Sequence, residues 1–226
     1  MGDSKYYSVV RDEVKKLIKE YCKEGAHDIY HLDRVYKMAL YINEKDKLNG
    51  DLDILCLASY MHDLHRLQLK DDVELKHSDD IEEIFNDICL KLKIDNNLVE
   101  KIKECIKLTD KHSFCGDVIK ELESPIEGII LRDADNLDSL GAVGIARAFM
   151  FGQYIGEEMY DPNQKLNDRE YDLTSRSSSI IHHFYEKLFK LEYDMITNTA
   201  KEIAKDRVDY MEEYLNRFFE EFDVII

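Results

Sequence analysis

The chain reads as a succession of apolar stripes at helical spacing. Between residues 5 and 23, Val10, Val14, Leu17, Ile18 and Tyr21 share one face, and Gly25 then supplies a stop. A second helix is predicted from about Asp28 to Asp46, with His31, Val35, Met38, Ala39 and Ile42 on its inward face. The run LDILCLASYM, continued by HDLHR, predicts a buried helix over about 52–65, and Ile81, Ile84, Phe85, Ile88 and Leu92 mark a fourth. Further helices are predicted near 98–110, 125–138 and 141–155. GIILRDAD is short enough for a strand, but its neighbours favour a buried helix. A polar stretch over about 160–179, suited to a flap over a site, precedes SIIHHFYEKLFKL and a long amphipathic helix ending in EYLNRFFEEF. On that helix Tyr210, Tyr214, Phe218 and Phe222 are expected in core or homodimer packing. No repeat and no linker composition interrupts the pattern, so it predicts one all-α domain over 1–226.

Composition supports this picture. Two prolines and nine glycines leave little to break helices in 226 residues, and 44% hydrophobic residues suffice for a substantial core. The net charge of -17 repels phosphate backbones over most of the surface, which disfavours nucleic-acid polymers as partners. A small anionic substrate is still admissible where a metal ion or a few cations reverse the local potential. The cysteines Cys22, Cys56, Cys89, Cys105 and Cys115 form no CxxC pair and read as reduced core residues of a cytoplasmic protein. No run reaches the length of a membrane span, and MGDSKYYSVV carries neither a signal core nor a complete myristoylation pattern.

Four polar residues sit where apolar ones are due: His31, His62, Asp63 and Asp133. Burying one imidazole or carboxylate alone costs several kcal/mol, so several buried together need mutual hydrogen bonds or a common ligand. A metal ion is such a ligand. Two imidazoles with two carboxylates make a mixed N/O site suited to Mn, Fe, Co, Ni, Zn or Mg, with positions left for water and substrate.

The order His, His-Asp, Asp resembles the HD superfamily of metal-dependent phosphohydrolases, which are all-helical proteins. The segments HDIYHLDRV, KHSDD, DKHSF, DADNLDSLGAVGIARAF and SIIHHFYEKLFKL are similar to a subgroup of small bacterial and archaeal HD proteins, over about residues 25–220. The resemblance implies a metal-binding core over about 25–140 and additional C-terminal helices over 141–226. It also implies His31, His62, Asp63 and Asp133 as ligands, Mn as the favoured ion, and a small phosphorylated substrate such as a nucleotide. The glycine-tyrosine-proline signature of two-metal HD enzymes is absent, which favours one ion; His112, placed where such enzymes carry further histidines, leaves a second one open.

On this footing water activated at the ion attacks phosphorus, with Asp63, Asp138, His65 and His112 as candidates for proton handling. Arg34, Arg66, His183 and Lys187 are candidates for neutralising substrate phosphates. Each has a plainer alternative: a solvated helix end for His65 and Arg66, a dipole partner for His112, an exposed helix face for His183 and Lys187. His27 is read as a cap or as a group orienting a ligand. Asp135, two positions beyond Asp133, is expected to point away from the site. Two other classes compete: a metal-stabilised domain that senses a nucleotide without turnover, and a di-iron oxygenase.

Overall fold

The computed structural model describes residues 3–22, 24–68, 79–109, 112, 124–166 and 176–223, with side chains omitted at 68 and 79–81. Cys115, residues 76–78 of KHSDD, most of DKHSF and the 167–175 part of the expected flap lie outside the described residues.

The helices form where apolar stripes begin, and among the described residues five of them are opened by a polar side-chain cap. The helices are α1 (Tyr7–Tyr21), α2 (Ile29–Lys45), α3 (Leu52–Met61), α4 (Asp79–Lys91), α5 (Asn96–Ile106), α6 (Ile126–Asp138), α7 (Gly141–Tyr154), α8 (Ile180–Glu186), α9 (Leu191–Asp194) and α10 (Asn198–Phe222). Asp28 accepts the His31 amide at 2.8 Å to open α2, and Asp51 accepts the Asp53 amide at 2.8 Å to open α3. Asp95, Ser179 and Thr197 do the same for α5, α8 and α10. No strand occurs among the described residues, and GIILRDAD lies wholly in α6.

The central element is α3, buried from Ile54 through Met61 and surrounded by α1, α2, α5 and α6. A helix apolar on every side belongs inside the core. Helices α2 and α6 lie against each other and against α3, so the polar residues of all three converge. At Gly128 a Cβ would fall 2.6 Å from Leu108 Cδ1 and 3.0 Å from the Cys105 backbone, so glycine there lets α5 and α6 approach closely. The buried apolar residues from Val10 to Leu215 form one continuous cluster, with α10 laid on α7, α6 and α9. Phe218 and Phe222 pack edge-on against Tyr160, although Phe222, like Tyr210, is exposed. Cys56, Cys89 and Cys105 are buried free thiols, as expected, whereas Cys22 is a half-buried free thiol. No described helix is long and apolar enough to cross a membrane.

One boundary differs from the sequence expectation. Helix α3 ends at Met61, so His62 and Asp63 sit in the turn that leads into a 3₁₀ segment, Leu64–Gln68. The His62 ring bonds the Ser59 carbonyl at 2.9 Å, satisfying an acceptor that the ending helix leaves free.

Candidate metal centre

Three helices deliver the site. Helix α2 contributes His31 from its first turn, the end of α3 contributes His62 and Asp63, and α6 contributes Asp135 and Asp138. His31 is fully buried, and His62 nearly so. Their Nε2 atoms point at one spot: His31 Nε2 lies 3.2 Å from Asp63 Oδ2 and 3.5 Å from Asp135 Oδ1. His62 Nε2 lies 3.5 Å from each of the same two oxygens. One ligand atom from each of His31, His62 and Asp63 fits within 4.8 Å of the others.

The opposite ring nitrogens explain why these Nε2 atoms are available. His31 Nδ1 donates to Asp138 Oδ2 at 2.7 Å, and His62 Nδ1 donates to the Ser59 carbonyl. Both partners only accept, so each ring keeps its proton on Nδ1 and turns an Nε2 lone pair inward. His31 Nε2, His62 Nε2 and Asp63 Oδ2 are buried and without a hydrogen-bond partner. Such orphaned atoms are costly unless a cation joins them. Burial would lower the His62 pKa, but the Asp63 and Asp135 carboxylates push it up to about 9, which marks how strongly this spot favours positive charge. Burial would raise Asp63 and Asp135, yet His62 holds both carboxyls below the usual range. The residues therefore fit a divalent ion, bound by two imidazoles and two carboxylates.

The expected role of Asp133 is corrected by this geometry. It is fully buried, but its carboxylate accepts the Thr197 amide and the Thr197 hydroxyl, both at 2.7 Å, and the Ile196 amide at 3.1 Å. Residues two apart on a helix point to nearly opposite sides, so Asp133 faces the α9–α10 loop and Asp135 faces the imidazoles. The expectation that Asp135 points away is reversed for the same reason. A signal was present: Asp135 and Asp138 are three apart and share a face.

Asp138 is occupied on both carboxylate oxygens. Besides His31, it takes a two-pronged contact from Arg34 at 2.7 and 3.0 Å and an Arg147 contact at 3.2 Å. Burial would raise its pKa, but His31, Arg34 and Arg147 hold it far below the carboxylate range, so it stays charged and occupied. Arg34 is thereby tied to Asp138, with 38% of its side chain exposed. Arg66 donates to Asp63 Oδ1 at 3.0 Å, and its guanidinium lies over the Phe151 ring at 6.0 Å. His65 donates back to the His62 carbonyl at 3.2 Å, within the turn.

His27 stands edge-on to His31, with ring centroids 5.5 Å apart, and its Nδ1 pairs with Glu24. Burial drives the His27 pKa well down and the Glu24 pKa up. Glu24 and Arg147 escaped the sequence reading, because neither belongs to an apolar stripe that carries a ligand.

His112 stands beside Asp194 and Arg132, while Lys187 is close enough for its charge to act on both His112 and His183. His112 Nδ1 lies 3.7 Å from Asp194 Oδ2, and Arg132 reaches the same oxygen at 3.1 Å. His183 is bonded to the Ser177 hydroxyl at 3.2 Å, and burial with the Lys187 charge lowers its pKa to about 3. The Lys187 charge also reaches His112, whose pKa burial lowers. Among the described residues no second group of three or more such side chains lies close enough to share a metal ion.

Comparison with known proteins agrees with this architecture. The HD domain family model matches residues 28–140. The chain is similar to YpgQ of Bacillus subtilis, an uncharacterised protein, with 32% identity over 219 residues, covering 96% of this chain and 94% of YpgQ. A crystal structure of YpgQ in complex with ADP superposes with a TM-score of 0.67 at 30% identity, covering 95% of this chain and 96% of that one. An HD-superfamily hydrolase from Bacillus thuringiensis gives a TM-score of 0.68 at 29% identity over 96% of each chain. A Lactobacillus plantarum protein gives 0.78 at 25% identity, covering 99% of this chain and all of that one.

Proposed function

From the premise that this chain belongs to the HD superfamily of hydrolases, we propose that it is a divalent-metal-dependent phosphohydrolase acting on a small phosphorylated substrate, a nucleotide above all. The observation that carries this reading is the convergence of two unpaired, buried imidazole Nε2 atoms with the Asp63 and Asp135 carboxylates. His31, His62, Asp63 and Asp135 would hold the ion, with Mn favoured among metals that accept such a donor set. The nucleotide assignment is supported by the ADP bound to YpgQ.

A divalent ion at this place would lower the pKa of a coordinated water to about 7 and draw charge from phosphoryl oxygens. The remaining work falls to the chain. Asp138 keeps His31 in the ligating tautomer, and the Ser59 carbonyl does so for His62. Arg66 orients Asp63 and, at the edge of the site, offers charge to a phosphate. His65, on the turn that carries two ligands, is the candidate for proton handling. Lys187 carries positive charge whose field reaches the His112 and His183 rings, and we assign these three to more distant phosphates of the substrate, Lys187 as the charge and the imidazoles as hydrogen-bonding groups.

The test is hydrolysis of mono-, di- and triphosphate nucleotides by metal-stripped protein with Mn, Co, Ni, Zn or Mg restored, resolving phosphate from pyrophosphate. Metal-dependent release of either product supports the enzyme. ADP binding with no turnover under any ion would replace it by the sensing module.

A further inference from the structure

We propose that Asp133 and Thr197 form a positioning clasp that sets the register of Asp135 and so tunes metal affinity from the far side of α6. The inference rests on the metal centre proposed above.

Asp133 and Asp135 are neighbours on one helix with opposite outlooks. The first is fully buried and saturated by three donors from two consecutive residues, Ile196 and Thr197. The preceding residue, Arg132, is also fully buried and donates to the Asp194 carbonyl at 2.6 Å. Past the ligand, Arg207 of α10 donates to the Leu137 carbonyl. Residues 194–207 thus grip α6 at positions 132, 133 and 137, on both sides of Asp135. Ligand geometry must be held within about 0.5 Å, and a helix gripped through backbone and buried charge transmits small displacements because it has no slack to absorb them.

The same stretch of chain contains its own control. Two residues after Thr197, the Thr199 hydroxyl donates to Asp46 Oδ1 at 2.6 Å and its amide to Asp46 Oδ2 at 3.0 Å. Asp46 follows the end of α2, four helical turns beyond His31. Both threonines tether the start of α10, but only Thr197 tethers it to the element bearing Asp135.

The experiment measures Mn2+ affinity calorimetrically on metal-stripped full-length Thr197→Val, Thr197→Ser and Thr199→Val, with thermal unfolding of each apo protein alongside. Both valine variants should unfold at lower temperature. Thr197→Val should bind Mn2+ about tenfold more weakly, the low end for groups that orient ligands. Thr197→Ser and Thr199→Val should stay within about twofold of wild type, near the spread expected of uncoupled sites. Should Thr197→Val not fold, Asp133→Asn, which keeps the side-chain shape, takes its place with the same expectation. Unchanged affinity in Thr197→Val, or equal weakening in both valine variants, overturns the clasp while leaving the metal centre intact. Wild-type protein that takes up no ion overturns the metal centre and the clasp together.

Discussion

Replacing Asp138 with Asn tests how the site prepares His31. In the structure Oδ2 accepts from His31 Nδ1 at 2.7 Å, from Arg34 at 3.0 Å and from Arg147 at 3.2 Å, while Oδ1 accepts from Arg34 Nε at 2.7 Å. An amide has one acceptor and one donor end, so in either orientation an N–H meets a donor. With the amide nitrogen toward His31, the imidazole must move its proton to Nε2, which removes the lone pair that would ligate. With it toward Arg34, the two-pronged contact is lost and the ring keeps a weaker, neutral acceptor. Partners that orient ligands are typically worth 10–100-fold in metal affinity, about 1.4–2.8 kcal/mol. Apo stability should fall less than for a fully buried ion pair, because Arg34 has 38% of its side chain exposed and regains water. About 1–3 kcal/mol is expected, mostly from Arg147 and the lost charge, corresponding to about 2–12 °C in Tm for a chain of this size. Calorimetric Mn2+ titration of metal-stripped Asp138→Asn, with apo melting measured in parallel, provides both numbers. Affinity within twofold of wild type would refute the claim that Asp138 prepares His31.

The ligand set makes a direct prediction: His62→Ala and Asp135→Ala proteins that remain folded by circular dichroism should lose stoichiometric metal by elemental analysis, and retention in Asp135→Ala would return the ligand role to another carboxylate. Adding Mn2+ at about a hundred times its dissociation constant should stabilise wild type by about 2.7 kcal/mol and leave those two variants unmoved, as read by thermal shift. Asp33, which accepts from Arg11 at 2.7 and 2.6 Å and from the Tyr60 hydroxyl at 2.6 Å, predicts a pH effect. Burial would raise its pKa, but Arg11 and Tyr60 bring it below the usual value. Its contribution is therefore complete above the unfolded pKa of about 3.9 and is lost as pH falls through the lower folded value. Asp33→Asn should lower stability at pH 7 and flatten urea-measured stability between pH 4 and 2; an unchanged acid slope would contradict this. Gly128→Ala should cost about 1–3 kcal/mol in urea unfolding, because its Cβ would overlap Leu108 and the Cys105 backbone, and a neutral result would mean α5 and α6 can part freely.

Much of the molecule was legible before any coordinates. Val10 and Val14, or Ile130, Leu131 and Ala134, repeat at helical spacing because a helix must present one face to the core, and that rule is local to each segment. His31 could be read because it interrupts such a face, and His62 with Asp63 because they end the most apolar helix of the chain. The resemblance to HD proteins rested on the same local words.

What stayed hidden depended on which face meets which neighbour. Asp133 and Asp135 are both acidic residues of an apolar helix, and nothing within DADNLD says which side α2 occupies. Only the packing of α6 between α2 and the α9–α10 loop assigns Asp135 to the imidazoles and Asp133 to Thr197. The Glu24–His27 pair and the Arg147 contact to Asp138 likewise join side chains whose helices meet only in the folded chain. The sequence by itself determined the helices, the inward stripes and the presence of buried ionisable groups, since these follow from the alternation of apolar and polar residues within a few turns. The tertiary structure alone decided which side chains meet at the candidate metal centre, because that centre is a coincidence of atoms from distant segments, the His31 and His62 Nε2 atoms each lying within 3.5 Å of an Asp63 and an Asp135 oxygen, and no local pattern encodes that meeting.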